Sequence, residues 1–540
     1  MRLLVNYLSL KSDTPKRDFW DYGLLYDLLE DFEFQEVDTL AVQDLALVVI
    51  PARSHVDKVK EINRELNKVG SVVLFLMGDE EASFPINEIK HKNIKIWVQN
   101  PHPGLPAECR KLGTGYPFTI RKFLEENTNT PKKNLDWFFA GQVTHSRREE
   151  CVKELRNIGG GELVESKAFT QGIEQTEYFK KMASAKVLPC PSGPETPDTF
   201  RLFEALELGG VPIADTQTPT KDWAGFWTWL FDEPVPFLEI ANWESLNGYI
   251  EDAVSKYPAL NNRIQAWWLR RKAKFKKQIY DDLLNLPNGR AFLKPITVVI
   301  PVSPIPSHPE THILEETLDS IRHHLPQAEI IITFDGVRKE QENRRADYEE
   351  HIRRILWKVR KWGNITPYIF DNHMHQSGMA RYLLENDLID TPLLLYVEQD
   401  TPLVTDEPIE WDHLVNKLIV GDSNLIRFHF EGVIPKEHFH LIIGEPEDKL
   451  LATAQWSQRP HLASVPFYRR ILADYFSANT NCFIEDLVHG RLYEDFVKHG
   501  ALGWLQWKVH IYYPNSKNIK RSYTTDGRAG SEKYDDTQIW

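Results

Sequence analysis

The segment LLLYVEQDTP, residues 393–402, decides how the second half of the chain is interpreted. It begins with a wholly apolar run and ends with two carboxylates at alternate positions, Glu398 and Asp400. A short, continuous apolar run is typical of a strand that is buried on both faces, as in a parallel sheet. Alternate residues at a strand end project from the same side, where both carboxylates can bind one divalent cation. The segment therefore predicts a buried strand followed by a site for Mn²⁺ or Mg²⁺.

The same half contains three more apolar runs that predict strands, and stretches of helical composition separate them. The runs are ITVVIPVSP (296–304), EIIITFDG (329–336) and TPYIFDN (366–372). Strands that alternate with helices build parallel sheets, which bind ligands in the loops at the carboxyl ends of their strands. We therefore expect residues 296–540 to form one α/β domain with a site at those loops.

The first half shows the same alternation twice, which predicts two Rossmann-like lobes, about 1–126 and 135–285, with a cleft between them. The polar segment ENTNTPKKN (126–134) lies between the lobes. LPNGRAFLKP (286–295), with its Pro, Asn and Gly, predicts a linker to the second half. The predicted strands, in chain order, are RLLVNYL (2–8), LALVVIPARSH (45–55), SVVLFLM (71–77), IKIWVQN (94–100), LDWFFAGQV (135–143), AKVLPCPSG (185–193) and VPIAD (211–215).

The composition of the chain indicates which partners and which cellular compartment to expect. The formal net charge is -14 over 540 residues, which argues against a large contact surface for the phosphates of duplex DNA. The four cysteines lie far apart without CxxC spacing, so they predict neither a zinc site nor a disulfide framework. No apolar run is long enough to span a membrane. We expect a cytoplasmic protein without an integral membrane segment.

Ordered motifs in the second half resemble the GT-A glycosyltransferases, particularly the inverting family-2 type. TFDG places Asp335 at a strand end, where that family has an Asp that binds the uracil or ribose of the donor. HQSGMARYLLEN (375–386) is similar to the family segment that lies along the nucleotide, which here implies contacts from Gly378 and Arg381. A helix start without that role is the alternative for this segment. The resemblance implies a UDP- or GDP-sugar as the donor.

The predicted cation site corresponds to the DXD motif of that family, with Glu398 in place of the first Asp. The resemblance implies direct coordination by Asp400, and it implies His510 in WKVHIYYP as a third ligand; a strand histidine that only packs is the alternative. NCFIEDLVHG (481–490) resembles the acidic motif of the family at a helix start. An inverting transferase needs a carboxylate to accept the proton of the acceptor hydroxyl. We expect Asp486 to be this base, with Glu485 as the next candidate.

The segment TAQWSQRPHLAS (453–464) combines aromatic rings with planar hydrogen-bonding side chains, which is the combination that sugar recognition needs. A surface loop that packs by its own Trp is the alternative. The predicted acceptor-binding residues are Gln455, Trp456, Gln458, Arg459 and His461.

Part of the first half, about residues 135–215, resembles GT-B glycosyltransferases of the exostosin type. The resemblance rests on WFFAGQVTHSRREECVKEL and on YFKKMASAKVLPCPSGPETPDTFRLFEALELGGVPI. In this resemblance Gly141 lets the backbone approach the donor pyrophosphate, and Arg147 or Arg148 supplies positive charge. In the second segment, the resemblance implies that Ser192 and Gly193 form a phosphate-binding loop. It also implies that Arg201 binds the phosphate and that Glu204 accepts hydrogen bonds from the ribose.

The catalytic base of this first module stays open, because nothing in its first lobe matches a named motif. Three residues at predicted strand ends are candidates: His55, Asp79 and His102. The basic stretch NRIQAWWLRRKAKFKKQ (262–278) predicts either a surface for anions or a helix that crosses back to the first lobe.

Together these features predict a bifunctional hexosyl- or pentosyltransferase that uses nucleotide sugars. Its acceptor would be a glycan or a glycolipid, as in polysaccharide biosynthesis. Two hypotheses compete with this one. The acceptor could be a modified DNA base, as in some phage enzymes, or one module could be active while the other serves as a binding or scaffold domain.

Overall fold

The computed structural model describes residues 3–7, 22–30, 32, 34–37, 40, 43–166, 172–287, 295–430, 432–477, 480–514 and 520–525. The chain divides into two compact units, Met1–Ala291 and Phe292–Trp540. The first unit contains two parallel sheets and the second contains one mixed sheet. The α/β class predicted from the sequence is confirmed.

The first sheet has the order β2-β1-β3-β4-β5-β6, and all its described pairs are parallel. Its central strands are buried because helices cover both faces, which explains the nearly continuous apolar run in β4. The strands are β1 Leu3–Tyr7, β2 Phe34–Val37, β3 Gln43–Pro51, β4 Val69–Met77, β5 Ile94–Val98 and β6 Arg110–Lys111, and the helices are α1 Gly23–Leu29, α2 Val59–Leu66 and α3 Thr119–Glu126.

The second sheet has the order β11-β10-β9-β7-β8 and is also parallel. Its strands are β7 Leu135–Gln142, β8 Glu162–Ser166, β9 Ala185–Cys190, β10 Val211–Asp215 and β11 Leu238–Ile240. Its helices are α4 Ser146–Leu155, α5 Gln175–Ser184, α6 Phe200–Glu207, α7 Phe226–Phe231, α8 Leu246–Ser255 and α9 Ala259–Leu284.

Helix α9 contains the basic stretch and contacts both sheets of the first unit. Near its start, Trp268 Nε1 donates to Glu207, at the end of α6, at 2.7 Å. Near its end, Asp282 accepts hydrogen bonds from Trp97 of β5 and from Arg110 of β6, both at 3.1 Å. Arg271 is 2% exposed. The helix therefore crosses between the lobes, and much of its length is buried rather than offered to an anionic surface.

The mixed sheet of the second unit has the order β14-β13-β12-β15-β19-β16-β20-β18-β17. Strand β15 pairs in parallel with β12 and antiparallel with β19, so the purely parallel surroundings expected for this strand hold on one side only. The strands are β12 Ile296–Val302, β13 Glu329–Phe334, β14 Ile365–Ile369, β15 Leu393–Tyr396, β16 Leu425–Arg427, β17 Ile442–Glu447, β18 Leu450–Thr453, β19 His461–Ser464 and β20 Val509–Tyr512. The helices are α10 His312–His324, α11 Arg345–Trp362, α12 His375–Glu385, α13 Trp411–Ile419, α14 Val465–Tyr475, α15 Ile484–His499 and α16 Ala501–Trp504.

Candidate active sites

In the second unit, Asp335 holds the N-terminal end of α12 against the end of β13. Its carboxylate accepts hydrogen bonds from the backbone N–H groups of Met374, at 2.6 Å, and His375, at 3.1 Å. His373 Nδ1 lies 2.7 Å from the same carboxylate. Asp335 therefore shapes the loop before α12, and its contact with a donor nucleotide stays a prediction.

His375, the first residue of α12, contacts Asp335 through its backbone N–H and contacts Phe483, just before α15, through its ring. Its φ of 55° is in the left-handed region, which is uncommon for a residue with a Cβ. Its ring meets Phe483 edge-on, with 4.5 Å between the ring centroids. Burial and the charge of His373 lower the pKa of His375, while the carboxylates of Asp335 and Asp486 act in the opposite direction. One imidazole is thus within electrostatic range of both predicted site residues. Sequence reasoning assigned no role to His375, although it is the first residue of HQSGMARYLLEN.

Glu398 and Asp400 lie just beyond β15, which ends at Tyr396. The expectation that both stand on the strand is corrected, because the chain turns at Gln399 and Asp400. Gln399 is buried, and its Nε2 donates to the carbonyl of Ser303 at 3.3 Å. Burial and the negative charge of Asp400 raise the pKa of Glu398 well above its usual value. The two carboxylates are therefore close enough to repel each other when both are ionised.

Gln376, in the first turn of α12, donates a hydrogen bond to Glu398 Oε1. This contact places the carboxylate pair next to the helix start that also carries His375. Asp335 and Glu398, which come from distant parts of the sequence, thus both contact the first turn of α12, and the start of α15 reaches the same turn through Phe483. Gln376 is a second residue of the quoted segment whose role sequence reasoning missed.

The carboxylate pair fits a divalent cation that takes only part of its ligands from the protein. Carboxylate oxygens are what Mg²⁺ and Mn²⁺ prefer, and a cation would relieve the repulsion between Glu398 and Asp400. The described part of the chain contains no group of three or more His, Cys, Asp or Glu that could hold a metal ion. The remaining ligands would then be diphosphate oxygens and water.

His510 lies away from this pair, and the expectation that it is a third metal ligand is corrected. It stands on β20, which two strands, β19 and β16, separate from β15. Its Nδ1 lies 2.9 Å from Ser423 Oγ, and its ring contacts Trp504. Burial lowers the pKa of His510 to about 4, so the ring is neutral at pH 7. His510 is therefore a strand histidine that packs within the protein.

Gly378 and Arg381 lie on the side of α12 that contacts the loop before α15. Ser377 Oγ donates to the carbonyl of Thr480 at 2.8 Å, and Arg381 donates to the carbonyl of Ser477. A Cβ at Gly378 would come within 3.2 Å of neighbouring side-chain atoms, so the close packing here favours glycine. Nucleotide contacts of Gly378 and Arg381 stay predictions.

The two acidic residues at the start of α15 have different surroundings. Glu485 Oε2 accepts a hydrogen bond from the backbone N–H of Gln458 at 3.0 Å, which fixes the loop after β18. Asp486 is exposed and acts electrostatically on His375. Asp486 and Glu485 as bases that meet an acceptor stay predictions.

Two of the predicted acceptor residues are buried, and the expectation that their rings stack on a sugar is corrected. Trp456 is 1% exposed and packs in the hydrophobic core. His461 is fully buried because β19 lies inside the sheet, and its ring stacks on Tyr396 with 5.3 Å between centroids. Burial lowers the pKa of His461 to about 4. Neither ring is accessible to a ligand.

The other acceptor residues lie in the same loop with protein partners. Arg427 donates to Gln455 Oε1 at 3.2 Å, and Arg459 donates to Thr524 Oγ1 at 2.6 Å. The guanidinium of Arg459 also lies 4.0 Å from the centroid of the Phe430 ring. Sugar contacts of Gln455, Gln458 and Arg459 stay predictions.

In the first unit, the structure separates the roles of two adjacent arginines on α4. Arg147 is buried and forms two hydrogen bonds with the fully buried Asp215, at 3.1 and 2.7 Å. It also donates to the carbonyl of Ala241 at 2.9 Å. These contacts connect α4 with the end of β10. The prediction that Arg147 binds the pyrophosphate is therefore corrected. Of the two predicted arginines, Arg148 remains the candidate.

Arg148 and Arg201 form a pair of like charges at the end of β7. Burial and the neighbouring charge of Arg201 lower the pKa of Arg148 to about 10. Arg148 Nε is buried without a hydrogen-bond partner among the described residues. Arg201 donates to the carbonyl of Ala140, and a Cβ at Gly141 would collide with Arg201 Nη2. Two close guanidinium groups with an unsatisfied donor are the arrangement that an anion would stabilise.

The loop after β9 approaches the same place. Ser192 is fully buried, and its Oγ has no hydrogen-bond partner among the described residues. Gly193 N donates to the carbonyl of Thr196 at 3.0 Å, which closes a tight turn. Glu204 accepts a hydrogen bond from the hydroxyl of Tyr178 at 2.7 Å, and burial raises its pKa. Phosphate contact by this loop and ribose contact by Glu204 stay predictions.

The three candidate bases of the first module each have a structural partner. His55 Nδ1 lies 3.0 Å from the carbonyl of Pro51, and His102 Nδ1 accepts from Gly104 N at 3.2 Å. Asp79 accepts three hydrogen bonds from Ser83 and Phe84. The catalytic base of the first module therefore stays unassigned.

A cavity of about 230 Å³ opens at the ends of β3 and β4. Its lining includes Glu80, whose charge acts on Arg148 and on Asp198 of the second lobe. Asp198 accepts a hydrogen bond from Thr114 N at 2.9 Å, and burial raises its pKa to about 7. The hydrogen bond between Thr114 and Asp198 therefore joins the two lobes of this unit. Sequence reasoning missed Glu80, the neighbour of the candidate Asp79.

Comparison with known proteins gives no family. No protein-family model and no curated protein matches the chain. Among solved structures, S. aureus TarS 1-349 in complex with UDP-GlcNAc is 13% identical, with a TM-score of 0.28, over 45% of this chain and 61% of that chain. A UDP-glucose pyrophosphorylase complexed with UDP-glucose is 11% identical, with a TM-score of 0.26, over 42% of this chain and 92% of that chain. The chain thus spans less than two thirds of the TarS structure, and scores this low carry no functional argument.

Within the described residues, no helix is both long enough and apolar enough to cross a membrane.

Proposed function

We propose that the second unit transfers a sugar from a UDP- or GDP-sugar to a glycan or glycolipid, with inversion and with dependence on Mn²⁺ or Mg²⁺. The observation that carries the proposal is that Asp335 and Glu398 both bind the first turn of α12, while the His375 ring there packs against Phe483, which precedes α15 and Asp486. Glu398 and Asp400 would hold the cation that neutralises the donor diphosphate. Asp335 would position the nucleotide, directly or through His373 and His375.

Asp486 supplies the base in this proposal because it is exposed and stands in the first turn of α15, three residues after Phe483, which contacts His375. It accepts the proton of the acceptor hydroxyl as the oxygen of that hydroxyl bonds to the anomeric carbon. The bond from the anomeric carbon to the diphosphate breaks, and the nucleoside diphosphate leaves with its electron pair. Attack from the face opposite the leaving group inverts the anomeric centre.

We propose a second nucleotide-sugar site in the first unit, which makes the protein bifunctional. Support comes from the pair Arg148 and Arg201, whose like charges and unsatisfied Nε favour an anion. Ser192, whose buried Oγ has no hydrogen-bond partner among the described residues, belongs to the loop that we propose lies next to the pyrophosphate. Gly141 leaves the space that Arg201 occupies at the end of β7.

Calorimetric titration of the full chain with UDP and with GDP, with and without Mn²⁺, tests both proposals. Asp400→Ala should remove the binding that requires Mn²⁺, because it deletes one of two carboxylate ligands. Arg148→Ala should remove the binding that does not require Mn²⁺. The matched control is Asp406→Ala, which deletes an exposed carboxylate a short distance along the same loop.

A different outcome of this titration would refute each of the two proposals. If Asp400→Ala keeps its Mn²⁺-dependent nucleotide binding, Glu398 and Asp400 are not a cation site. If Arg148→Ala binds both nucleotides as the wild type does, the first unit has no anion site at the end of β7. Loss of binding in the Asp406→Ala control would point to general damage instead.

A further inference from the structure

One face of α15 carries Asp486, Gly490, Tyr493 and Val497, at spacings of four, three and four residues. These spacings place the four positions on one side of a helix. All four are exposed, with Tyr493 36% and Val497 62% exposed. The opposite side, Ile484, Val488 and Leu492, is buried in the core. The candidate base therefore shares an open surface with an aromatic ring.

The middle of this face is empty at Gly490. A Cβ built on Gly490 would meet no atom within 4 Å, so a ligand can approach the helix backbone there. Asp486 and Tyr493 are seven residues apart, which is about 10 Å along a helix. The face is thus an open track from the candidate base to the ring of Tyr493.

Polar rings border the track at the Tyr493 end. The His489 ring lies parallel to Tyr493 with 6.5 Å between centroids, and the His440 ring meets Tyr493 edge-on at 5.9 Å. The neighbouring Phe439 is 59% exposed. His489 Nδ1 accepts a hydrogen bond from the backbone N–H of Trp456 at 3.3 Å, so in the neutral ring Nε2 carries the proton and can donate. The surface combines partly exposed aromatic rings with hydrogen-bonding side chains.

We propose that this track binds the acceptor, and that the acceptor is an oligosaccharide rather than a single sugar. The reacting hydroxyl lies at Asp486, and sugars further along the chain stack on Tyr493 and Phe439. Ring faces pack against the apolar faces of sugars, while His440 and His489 satisfy hydroxyl groups. The inference rests on the proposed function of the second unit, because it takes Asp486 as the base.

Retention of the labelled full-length protein on an array of oligosaccharides of graded length, from monosaccharides upward, tests the proposal. The wild type should be retained more strongly by oligosaccharides than by monosaccharides. Tyr493→Ala should lower retention on oligosaccharides by roughly tenfold, the size expected for the loss of one stacked ring. Gly490→Leu should lower it as well, because its side chain fills the track. The control Leu502→Ala removes an exposed apolar side chain from α16, 78% exposed, and should change nothing.

Nucleotide binding distinguishes a failure of this inference from a failure of the proposed function. Tyr493→Ala should bind UDP or GDP with Mn²⁺ as the wild type does. If the wild type binds neither nucleotide, the proposed function fails. If nucleotide binding is intact, the track is refuted by equal retention of Tyr493→Ala and the wild type, or by no oligosaccharide being retained. Binding to phosphatidylglycerol vesicles that requires Tyr493, without oligosaccharide binding, would also refute it and indicate a lipid surface.

Discussion

Replacing each of the adjacent arginines of α4 by alanine should give opposite phenotypes. Arg147→Ala should destabilise the first unit, because it leaves the fully buried carboxylate of Asp215 without its charged partner. Arg148→Ala should leave stability unchanged or slightly higher, because it removes one of two like charges that are close together. Only Arg148→Ala should weaken nucleotide binding without a loss of stability.

The size of the Arg147 effect follows from the burial of the pair. The Arg147 side chain is 7% exposed, and breaking a buried charge pair on one side costs about 3–5 kcal/mol. Asp215 keeps hydrogen bonds from Ser192 N, Gln217 N and Trp243 Nε1, which favours the lower end, about 3 kcal/mol. For a unit of this size, that loss lowers the unfolding midpoint by roughly 6–12 °C.

Thermal unfolding followed by tryptophan fluorescence measures the midpoints, and calorimetry with UDP and GDP measures binding. Arg156→Ala is the matched control, since Arg156 adjoins the same helix but pairs with Glu165 at the surface, with side chains 58% and 39% exposed. Its midpoint should stay close to that of the wild type. The reasoning is refuted if Arg147→Ala unfolds no earlier than Arg156→Ala but loses nucleotide binding. Arg147 would then be the phosphate ligand.

Three further predictions concern single residues. Asp198→Asn should stabilise the protein at pH 8 but not at pH 4. Burial raises the pKa of Asp198 to about 7, so the stability of the wild type falls as pH rises from about 4 to 7. Equal urea midpoints of variant and wild type at pH 8 would contradict this. Asp486→Asn should bind donor normally and lower turnover by roughly 10² to 10⁴-fold in a transfer assay, and near-normal turnover would move the base to Glu485. His510→Gln should leave the Mn²⁺ concentration for half-maximal nucleotide binding within about twofold of wild type, since β20 lies two strands away from β15 and the ring contacts Ser423 instead. A much larger shift would restore His510 as a ligand.

The central strands of each sheet were predictable from sequence, because apolar runs bounded by helices have few alternatives to a covered sheet. The carboxyl-end loops of β13 and β15 were found for the same reason. The short or edge strands β2, β6, β8, β11 and β16–β19 were not predicted. Runs alone could not show that β15 is antiparallel to β19, since pairing direction depends on how distant segments meet.

Side-chain direction was the main source of error in the candidate sites. Arg147 and Arg148 differ by one residue on a helix, and only the position of Asp215 decides which of them faces inward. Trp456 and His461 have the composition of a sugar site, but β19 lies between β15 and β16 and both rings are therefore buried. The role of Gln376 depends on Glu398, which is far away in sequence and adjacent only in the fold.

Helix α9 determines where the chain can be divided. A fragment that ends before residue 259 would lack Asp282, the acceptor for Trp97 and Arg110, and would lack Trp268, the donor to Glu207. Ser71 Oγ donates to the carbonyl of Pro287 at 2.7 Å, so even the residues just after the helix contribute to the first lobe. We therefore expect an N-terminal fragment to keep these contacts only if it extends past Pro287. A truncation or gene fusion placed after that residue would leave both sheets of the first unit with the helix that connects them.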